Sequence, residues 1–302
     1  MVSEVAFGGV EIGMPYANQQ MPTESESLQL LHKAVDCGIN FFDTARAYGR
    51  SEEIMGKAFR GRRSEIVIAT KAVSILDQQG HLPSHADLAK IINSSLEESL
   101  KALSTDYVDI FMLHQGNEKI LKSSSVEDIM SELMRTEKIR ALGVSTYGVK
   151  ESGLAIDREI WDVIQLPFNL LDQSQESIFE MSKAFDIGIV ARSVLLRGLL
   201  NGESLGMHPA LSQVQDHIDS FHALVDRDWP DLPTLATKFA LSFSQISSVL
   251  LGLDKMEYLD KAIETADGLY LEDNQLTEIQ AMRYPDSEFL NLNTWVRNKW
   301  LA

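Results

Sequence analysis

Four side chains that together could transfer a proton to a carbonyl group follow successive apolar runs of the chain. Asp43 ends the run INFFD, Lys71 ends EIVIATK, and His114 ends YVDIFMLH. Tyr48 lies in the segment directly after Asp43. A phenol has a pKa of about 10, which suits a developing alkoxide, and a neighbouring ammonium group lowers that pKa. We therefore expect Lys71 to activate Tyr48 as a proton donor while Asp43 holds the lysine. His114 would then hydrogen-bond the carbonyl oxygen.

Each of these residue types also has a purely structural interpretation when it stands alone. A lone aspartate caps a helix, a tyrosine packs in the core, a lysine is solvated, and a buried histidine is satisfied by its neighbours. Four of them at strand ends, in this order, favour the catalytic interpretation. Two other motifs are weaker. GVSTYG lacks the last glycine of a serine-nucleophile motif. The pairs His81/His85 and His217/His222 lack the H-E-x-x-H context of a metal site, so no metal is expected.

The apolar runs alternate with amphipathic helical stretches along the chain. The predicted strands are residues 5–9, 39–43, 65–71, 107–114, 139–145, 162–168, 187–193 and 247–253. Eight such alternations are typical of an α/β fold of the (β/α)8 type, the TIM barrel. The first strand also lacks the G-x-G-x-x-G turn of a doubly wound sheet. In a barrel the carboxyl ends of the strands carry function, which adds Ser145, Gln165 and Arg192 to the candidate residues.

Composition limits the partners and the location of the protein. The 302 residues include 27 Lys and Arg against 44 Asp and Glu, a formal net charge of −17. So acidic a surface repels nucleic acid and anionic membranes, and neither is expected as a partner. No basic leader or long apolar run is present, so we expect a cytoplasmic protein. The only cysteine, Cys37, is expected in the core. We expect one domain over residues 1–302, with a C-terminal tail from about residue 270 packing near the barrel mouth.

Longer stretches around these residues resemble the aldo-keto reductase family. The matching stretches are GINFFDTARAYGRSEEIMGKAF (38–59), VIATK (67–71), STDYVDIFMLHQ (104–115), IRALGVSTYG (139–148), VIQLPFNLLDQS (163–174), ARSVLLRGLL (191–200) and VLLGLDKMEYLDKAIE (249–264). They cover nearly the whole chain in family order. The resemblance implies an NAD(P)-dependent enzyme that reduces a carbonyl or oxidises the corresponding alcohol. It also implies a catalytic tetrad of Asp43, Tyr48, Lys71 and His114, with Tyr48 as the general acid/base.

The same resemblance implies which residues contact the nicotinamide nucleotide. Ser145 and Gln165 match the carboxamide-binding positions, whereas Thr146 stands where the family often has asparagine. Arg192 replaces an aromatic residue that commonly stacks on the nicotinamide, and a guanidinium plane can also stack. The next loop resembles the pyrophosphate-contacting segment, with candidate contacts from Ser193, Leu195, Arg197 and Gly198.

The turn after the last strand favours NAD over NADP as the cofactor. Relatives that prefer NADP place basic and hydroxyl side chains in this turn, where this chain has Gly252, Asp254 and Tyr258. A carboxylate at Asp254 would repel a 2′-phosphate and could accept a hydrogen bond from a 2′-hydroxyl. Two features leave NADP open: Lys255 stands next in the chain, and the helix N-terminus there attracts anions. Asp254 could also simply cap that helix.

The resemblance favours a small aldehyde, ketone or sugar-like substrate. The segment GMPYANQ, which contains Tyr16, is similar to bacterial members linked to sugar metabolism. Trp295 and Trp300, in WVRNKW near the C-terminus, are candidates for the pocket wall. Two other functions stay open. One is a nucleotide-binding or regulatory barrel without catalysis, and the other is an aldolase with Lys71 as a Schiff-base nucleophile. A lysine paired with a carboxylate is held protonated, which argues against the aldolase.

Overall fold

The computed structural model describes residues 1–16, 21–201, 208–225 and 229–301. Its strands are β1 (Val5–Gly8), β2 (Phe41–Asp43), β3 (Val67–Lys71), β4 (Val108–Leu113), β5 (Ile139–Ser145), β6 (Val163–Pro167), β7 (Gly188–Arg192) and β8 (Ile246–Gly252). Each strand runs parallel to the next, and β8 pairs with β1 to close the barrel. The predicted (β/α)8 fold is therefore confirmed, and each predicted strand overlaps an observed one.

Helices lie in the connections between the strands and after the last strand. They are α1 (Val10–Gly13), α2 (Glu24–Asp36), α3 (Ser51–Ala58), α4 (His85–Leu103), α5 (Glu118–Leu121), α6 (Ser124–Leu133), α7 (Val149–Asp157), α8 (Phe179–Ala184), α9 (Ser212–Phe221), α10 (Leu232–Leu241), α11 (Met256–Thr265), α12 (Asp273–Ala281) and α13 (Leu292–Arg297). Polar caps begin the longer ones: Thr23 caps α2, Ser84 caps α4, and Asp231 caps α10. No helix within the described ranges is both long and apolar enough to cross a membrane.

Two apolar clusters form the core, one inside the barrel and one between the barrel and its helices. Successive side chains of a strand point to opposite faces of the sheet. Phe41 and Ala69 belong to the smaller cluster, which comes from the strands and the N-terminal segment and fills the interior. Phe42 and Ile68 belong to the larger cluster, which includes the helices. The filled interior gives the carboxyl end of the barrel a packed floor.

A charged cluster around Asp109 connects three strands near the opposite, amino-terminal end of the barrel. Asp109 is buried and accepts hydrogen bonds from Arg63 at 2.6 Å, from Arg140 at 2.8 Å and from the Ile68 amide at 2.9 Å. Both guanidinium groups also lie over the Tyr107 ring, each 4.0 Å from its centroid. The cluster thus joins β3, β4 and β5 far from the strand ends that carry the candidate chemistry.

Cys37 lies on the surface, so the prediction that it belongs to the core is wrong. The buried face of α2 includes Leu30 and Ala34, and Cys37 falls just beyond the last turn of the helix. Gly38 then takes a left-handed φ of 94° and changes the direction of the chain. The apolar stretch reaches the core again only at Ile39.

Candidate active site

A buried ion pair connects the carboxyl ends of β2 and β3. The Lys71 ammonium donates to both Asp43 carboxylate oxygens, at 2.6 and 2.5 Å, and to the Thr44 carbonyl oxygen at 3.1 Å. Gln165 on β6 donates from its side-chain amide to Asp43 Oδ1 at 2.8 Å. Asp43 and Lys71 are both buried. Because each charge is hydrogen-bonded by protein groups, the pair is held in one geometry beneath the strand ends.

Tyr48 lies beside this pair, in the loop after β2. Its ring centroid is 5.0 Å from Lys71 Nζ, and the ring packs edge-on against the His114 imidazole with 5.5 Å between centroids. The loop passes so close to α1 that a side chain at Gly13 would overlap the Tyr48 carbonyl oxygen. Gly13 is therefore required for the position of Tyr48. The structure brings the four predicted catalytic side chains together.

Burial governs the protonation of Tyr48 and His114. Burial, with the positive charges of Lys71 and Arg192, lowers the pKa of His114 to about 3, so the imidazole is neutral at physiological pH. Burial raises the pKa of Tyr48 well above its usual value, and the Asp43 carboxylate raises it further. The expectation that the pKa of Tyr48 falls is wrong, because burial and Asp43 outweigh the positive charge of Arg192, which lowers it. The phenol therefore keeps its proton at neutral pH.

A cavity of about 1220 Å³ opens above these residues at the carboxyl end of the barrel. Tyr48, His114 and Asp43 line it, together with residues of the loops after β1, β7 and β8. Small-molecule sites usually have volumes of about 300–1,000 Å³. This cavity is therefore large enough for an extended dinucleotide together with a small substrate.

The sequence matches the profile of the Aldo/keto reductase family over residues 4–283. This chain belongs to the aldo/keto reductase family. Members of the family are oxidoreductases that use nicotinamide cofactors and act on small carbonyl compounds. The resemblance found in the sequence motifs is thus confirmed.

Three proteins illustrate the similarity. The chain is 28% identical over 292 residues to the uncharacterized oxidoreductase YqkF of Bacillus subtilis (strain 168), covering 93% of this chain and 92% of that protein. It is 26% identical over 275 residues to the NADH-specific methylglyoxal reductase of Escherichia coli (strain K12), covering 82% and 84%. Its fold matches the holo form of aldo-keto reductase AKR11C1 from Bacillus halodurans with a TM-score of 0.79, at 25% identity and 95% coverage of each chain. The similarity extends over the whole barrel.

The predicted nicotinamide contacts of this aldo/keto reductase lie at the ends of β5, β6 and β7. Ser145 and Gln165 are paired in register, and both line the cavity. Thr146 is buried with its hydroxyl bonded to a serine of α7, so its side chain is directed away from the cavity. Arg192 donates to the Thr146 carbonyl oxygen at 2.9 Å and lies 4.4 Å from the centroid of the Tyr147 ring. Protein groups therefore already fix the guanidinium plane where the family often has an aromatic ring.

The loop after β7 combines a strained backbone with an arginine whose Nε is buried. Ser193, Leu196 and Arg197 have left-handed φ angles of 57°, 46° and 56°, a conformation that costs about 1–3 kcal/mol per residue and is common in ligand-binding loops. Arg197 stacks on Tyr16, 4.5 Å from the ring centroid, and so connects this loop to the segment after β1. The predicted contacts Ser193, Leu195, Arg197 and Gly198 all line the cavity.

The residues present fit a nicotinamide dinucleotide. Arg197 lines the cavity, and its buried Nε has no hydrogen-bond partner among the residues that the structure describes, which fits an anionic ligand close by. The loops after the seventh and eighth strands of such barrels frequently bind phosphate. Asp43 and Gln165 supply polar atoms at the other end of the cavity, next to Tyr48. At one end of the cavity, Arg197 would thus donate a hydrogen bond to the phosphate of a bound dinucleotide. At the other end, the dinucleotide would lie next to Tyr48.

The turn after β8 brings Gly252, Asp254 and Tyr258 to the cavity wall. Asp254 is buried, and burial raises the pKa of its carboxyl group. It does not cap α11, because the residue at the N-cap position is Lys255. The Lys255 ammonium donates to the Tyr258 hydroxyl at 3.0 Å and is half exposed, so it is held at the rim of the turn.

The C-terminal segment covers one side of the cavity, but its two tryptophans lie behind the wall. The lining residues from this segment are Ser287, Glu288, Leu290, Asn291, Leu292, Asn293 and Val296. Trp295 is 0% exposed and donates from its indole to the Phe289 carbonyl oxygen at 2.6 Å. Trp300 packs on the Phe289 ring with 5.7 Å between centroids. This placement does not support the expected contact of either indole with the substrate.

Sequence reasoning missed many residues that line the cavity, among them Glu11 and Tyr147. Tyr147 follows the strand-end residue Ser145 by two positions, and extending the strand-end rule into the loops would have found it. Glu11 stands two positions after the predicted first strand, so the same extension would have found it, but the residues around it have no such signal. Its carboxyl group contacts the end of β8, which is more than two hundred residues away in the sequence.

Proposed function

We propose that this chain catalyses the reversible reduction of a small carbonyl compound, with Tyr48 as the group that donates and recovers the proton. The observation that carries the proposal is the buried Asp43–Lys71 pair directly beside Tyr48 and His114 at the cavity floor. A binding protein has no need of a phenol flanked by a fixed ammonium and a neutral imidazole. A regulatory barrel without catalysis is therefore the less favoured function.

The side chains have separate tasks in this proposal. The bound nicotinamide supplies or accepts the hydride. His114 is neutral and can donate a hydrogen bond to the carbonyl oxygen, which fixes the substrate and stabilises developing negative charge. Tyr48 is protonated at neutral pH, so it can give its proton to the same oxygen as an alkoxide develops. Lys71, held by Asp43, then stabilises the phenolate that remains.

The structure disfavours the aldolase alternative. Lys71 is 0% exposed, and its ammonium group already donates to Asp43 and Thr44. A Schiff base requires a neutral amine that can reach the substrate carbonyl. Borohydride in the presence of candidate aldehydes should therefore leave no covalent adduct on Lys71, as mass spectrometry would show.

We propose a neutral, hydroxyl-bearing substrate, such as a sugar-like aldehyde or ketone. The walls of the cavity carry carboxylates, among them Asp172 and Glu288, which would repel an anionic substrate. They also offer acceptors for hydroxyl groups. Tyr16 and Tyr147 add aromatic surface on which an apolar face can pack.

We further propose NAD rather than NADP as the preferred nucleotide. Asp254 lies in the cavity wall and is not used as a helix cap, so its carboxyl group is available to a ribose hydroxyl. Lys255, the cation that could favour a 2′-phosphate, is engaged with Tyr258. A relative that carries the name NADH-specific methylglyoxal reductase is consistent with this preference.

Replacing Tyr48 by phenylalanine tests the proposal. We expect Tyr48→Phe to lower turnover by about two to four orders of magnitude and to leave nucleotide affinity nearly unchanged, because only the proton donor is lost. Stopped-flow measurement of NADH oxidation with a panel of sugars and simple aldehydes gives the turnover, and NADH fluorescence gives the affinity. Turnover close to that of wild type would contradict the assignment.

A matched control is available in Tyr270→Phe. The Tyr270 hydroxyl donates to Glu4 at 2.6 Å, and Glu4 directly precedes β1, at the opposite end of the barrel from Tyr48. This variant also loses one hydrogen-bonded phenol, but outside the cavity. Its turnover should stay within about threefold of wild type, since surface substitutions rarely disturb a distant site.

A further inference from the structure

A carboxyl group that the proposed mechanism does not use lies between the catalytic floor and the phosphate-binding loops. Glu11 is in α1, directly after β1, and lines the cavity. A side-chain carbon at Gly252, the last residue of β8, would collide with Glu11 Oε1. The other oxygen, Oε2, is buried and has no hydrogen-bond partner within the described part of the chain. Glu11 therefore lies in the cavity wall with one buried carboxyl oxygen that no described residue satisfies.

The charges around Glu11 come from every loop that packs against it. Asp254 after β8 and Asp43 on β2 are negative, Arg197 after β7 is positive, and Tyr16 is also close enough to interact. Burial raises the pKa of Glu11 to about 8, the two carboxylates contribute in the same direction, and Arg197 opposes them. The free protein thus holds this carboxyl group largely protonated at neutral pH.

The position of Glu11 coincides with the phosphate end of the barrel. Phosphate sites of such barrels are formed by the loops after the seventh and eighth strands. In this chain those loops contribute Arg197 and Gly252, and Glu11 interacts with the first and packs against the second. A carboxylate here would repel a pyrophosphate, whereas a protonated carboxyl group can donate a hydrogen bond to it.

We propose that Glu11 binds the nucleotide pyrophosphate in its protonated form, so that nucleotide binding at alkaline pH takes up one proton from solvent. The proton adds to the Glu11 carboxylate, and the resulting hydroxyl donates to a phosphate oxygen. No covalent bond to the nucleotide forms. This inference rests on the proposed function, since it requires a nicotinamide dinucleotide in the cavity.

The direction of the pH dependence follows from linkage. Below about pH 7 Glu11 is already protonated in the free protein, so nucleotide affinity does not change with pH. Above about pH 8 the free protein has lost the proton that the complex requires. The dissociation constant then rises by up to about tenfold per pH unit.

Isothermal titration calorimetry measures the proton directly. ADP-ribose is the probe, because it contains the pyrophosphate but not the nicotinamide. Titration at pH 9 in two buffers of different ionisation enthalpy should show uptake of nearly one proton per ADP-ribose, and titration at pH 6.5 should show almost none. NAD should take up the same number of protons, because it contains the same pyrophosphate group, to which protonated Glu11 would donate.

Two variants assign the proton to a residue. Glu11→Gln has the shape of the protonated side chain, so it should bind ADP-ribose without proton uptake and with an affinity that is constant from pH 6.5 to 9. Asp254→Asn, which removes the neighbouring carboxylate, should still take up a proton. Thermal unfolding of both variants verifies that they are folded.

Three results would overturn the inference while leaving the proposed function intact. They are nucleotide binding by wild type at pH 9 without proton uptake, uptake that persists in Glu11→Gln, and uptake with NAD but not with ADP-ribose. Failure of every nicotinamide nucleotide to bind at any pH would instead overturn the proposed function and the inference together.

Discussion

At the scale of single residues, opposite charges act on the Tyr48 phenol from one side. Asp43 raises the pKa of this phenol, and the Lys71 ammonium, 5.0 Å from the ring centroid, favours the phenolate by simple electrostatics. The two side chains are bound to each other. Removing one of these two charges therefore leaves the other uncompensated next to Tyr48. Removal of Lys71 and removal of Asp43 should thus shift the pKa of Tyr48 in opposite directions.

Lys71→Met and Asp43→Asn test this opposition. Alcohol oxidation requires the phenolate, so its rate rises with pH to a plateau set by the pKa of Tyr48. Lys71→Met should shift this profile to higher pH, because a positive charge is lost, and Asp43→Asn should shift it to lower pH. Stopped-flow NAD reduction between pH 6 and 10.5 follows the rising part of both profiles, where a shift to higher pH lowers the rate at a given pH and a shift to lower pH raises it. Shifts in the same direction would show that the pair does not act on Tyr48 through its charges.

Asp254 gives a second prediction at this scale. If the proposed preference for NAD is correct, Asp254→Ser removes a cavity-wall carboxylate that would repel a 2′-phosphate, and supplies a hydroxyl that can donate to it. The ratio of NADP to NAD affinity should rise by about 10- to 100-fold, a change of about 1.4–2.8 kcal/mol. Fluorescence titration with both reduced nucleotides measures the ratio. Wild type that already binds both equally would rule out a selective role for this turn.

The sequence predicted some of these residues and not others for physical reasons. Asp43, Lys71 and His114 could be placed because the end of a parallel strand is also the rim of the barrel. The pKa of Tyr48 could not be predicted, because its direction depends on how deeply the ring is buried. The surroundings of Glu11 could not be predicted either, since they include the contact with Gly252 across the closure of the barrel.

At the scale of elements, strand positions were predictable and loop conformations were not. Strands buried on both faces are nearly continuous apolar runs, which is why β4 could be located from composition alone. The left-handed angles at Leu196 and Arg197 have no sequence signal, because neither residue favours that conformation. The orientation of α13 also has no sequence signal. This helix directs Trp295 into the core, although the motif WVRNKW suggested that the tryptophan lies at the mouth of the barrel.

The charged cluster at the amino-terminal end of the barrel should contribute to stability and not to catalysis. Asp109→Asn leaves the Arg63 guanidinium half-buried without its carboxylate and weakens the bond to the Ile68 amide. We expect a loss of about 2–4 kcal/mol in the free energy of unfolding, measured by urea denaturation, because a buried ion pair is broken. Nucleotide affinity should not change.

The neighbouring Asp106→Asn is the matched control for this cluster. Asp106 is exposed and lies directly before Tyr107. Its replacement should change the free energy of unfolding by less than about 0.5 kcal/mol. If Asp109→Asn and Asp106→Asn changed the free energy of unfolding equally, the hydrogen bonds of Asp109 would contribute no stability beyond that of its charge.

At the scale of the whole molecule, the acidic charge and the cavity have a common consequence. The formal charge of −17 repels anions at long range, and carboxylates such as Asp254 and Glu288 repel them within the cavity. A dinucleotide carries a pyrophosphate, so the protein needs local donors such as Arg197 to bind it. A protein that buries a carboxyl group at such a place should also show a pH dependence of its own stability.

Glu11 determines the sign of that dependence. Its pKa is raised from 4.5 in the unfolded chain to about 8 in the folded protein, so between these values the folded state binds more protons. Stability should therefore fall as the pH rises from about 4.5 to 8. Glu11→Gln, free of nucleotide, should match wild type near pH 5 and exceed it by about 2–4 kcal/mol at pH 9 in urea unfolding. Glu288→Gln, an exposed carboxylate of the same cavity, is the control. A constant difference between Glu11→Gln and wild type across this range would contradict the argument.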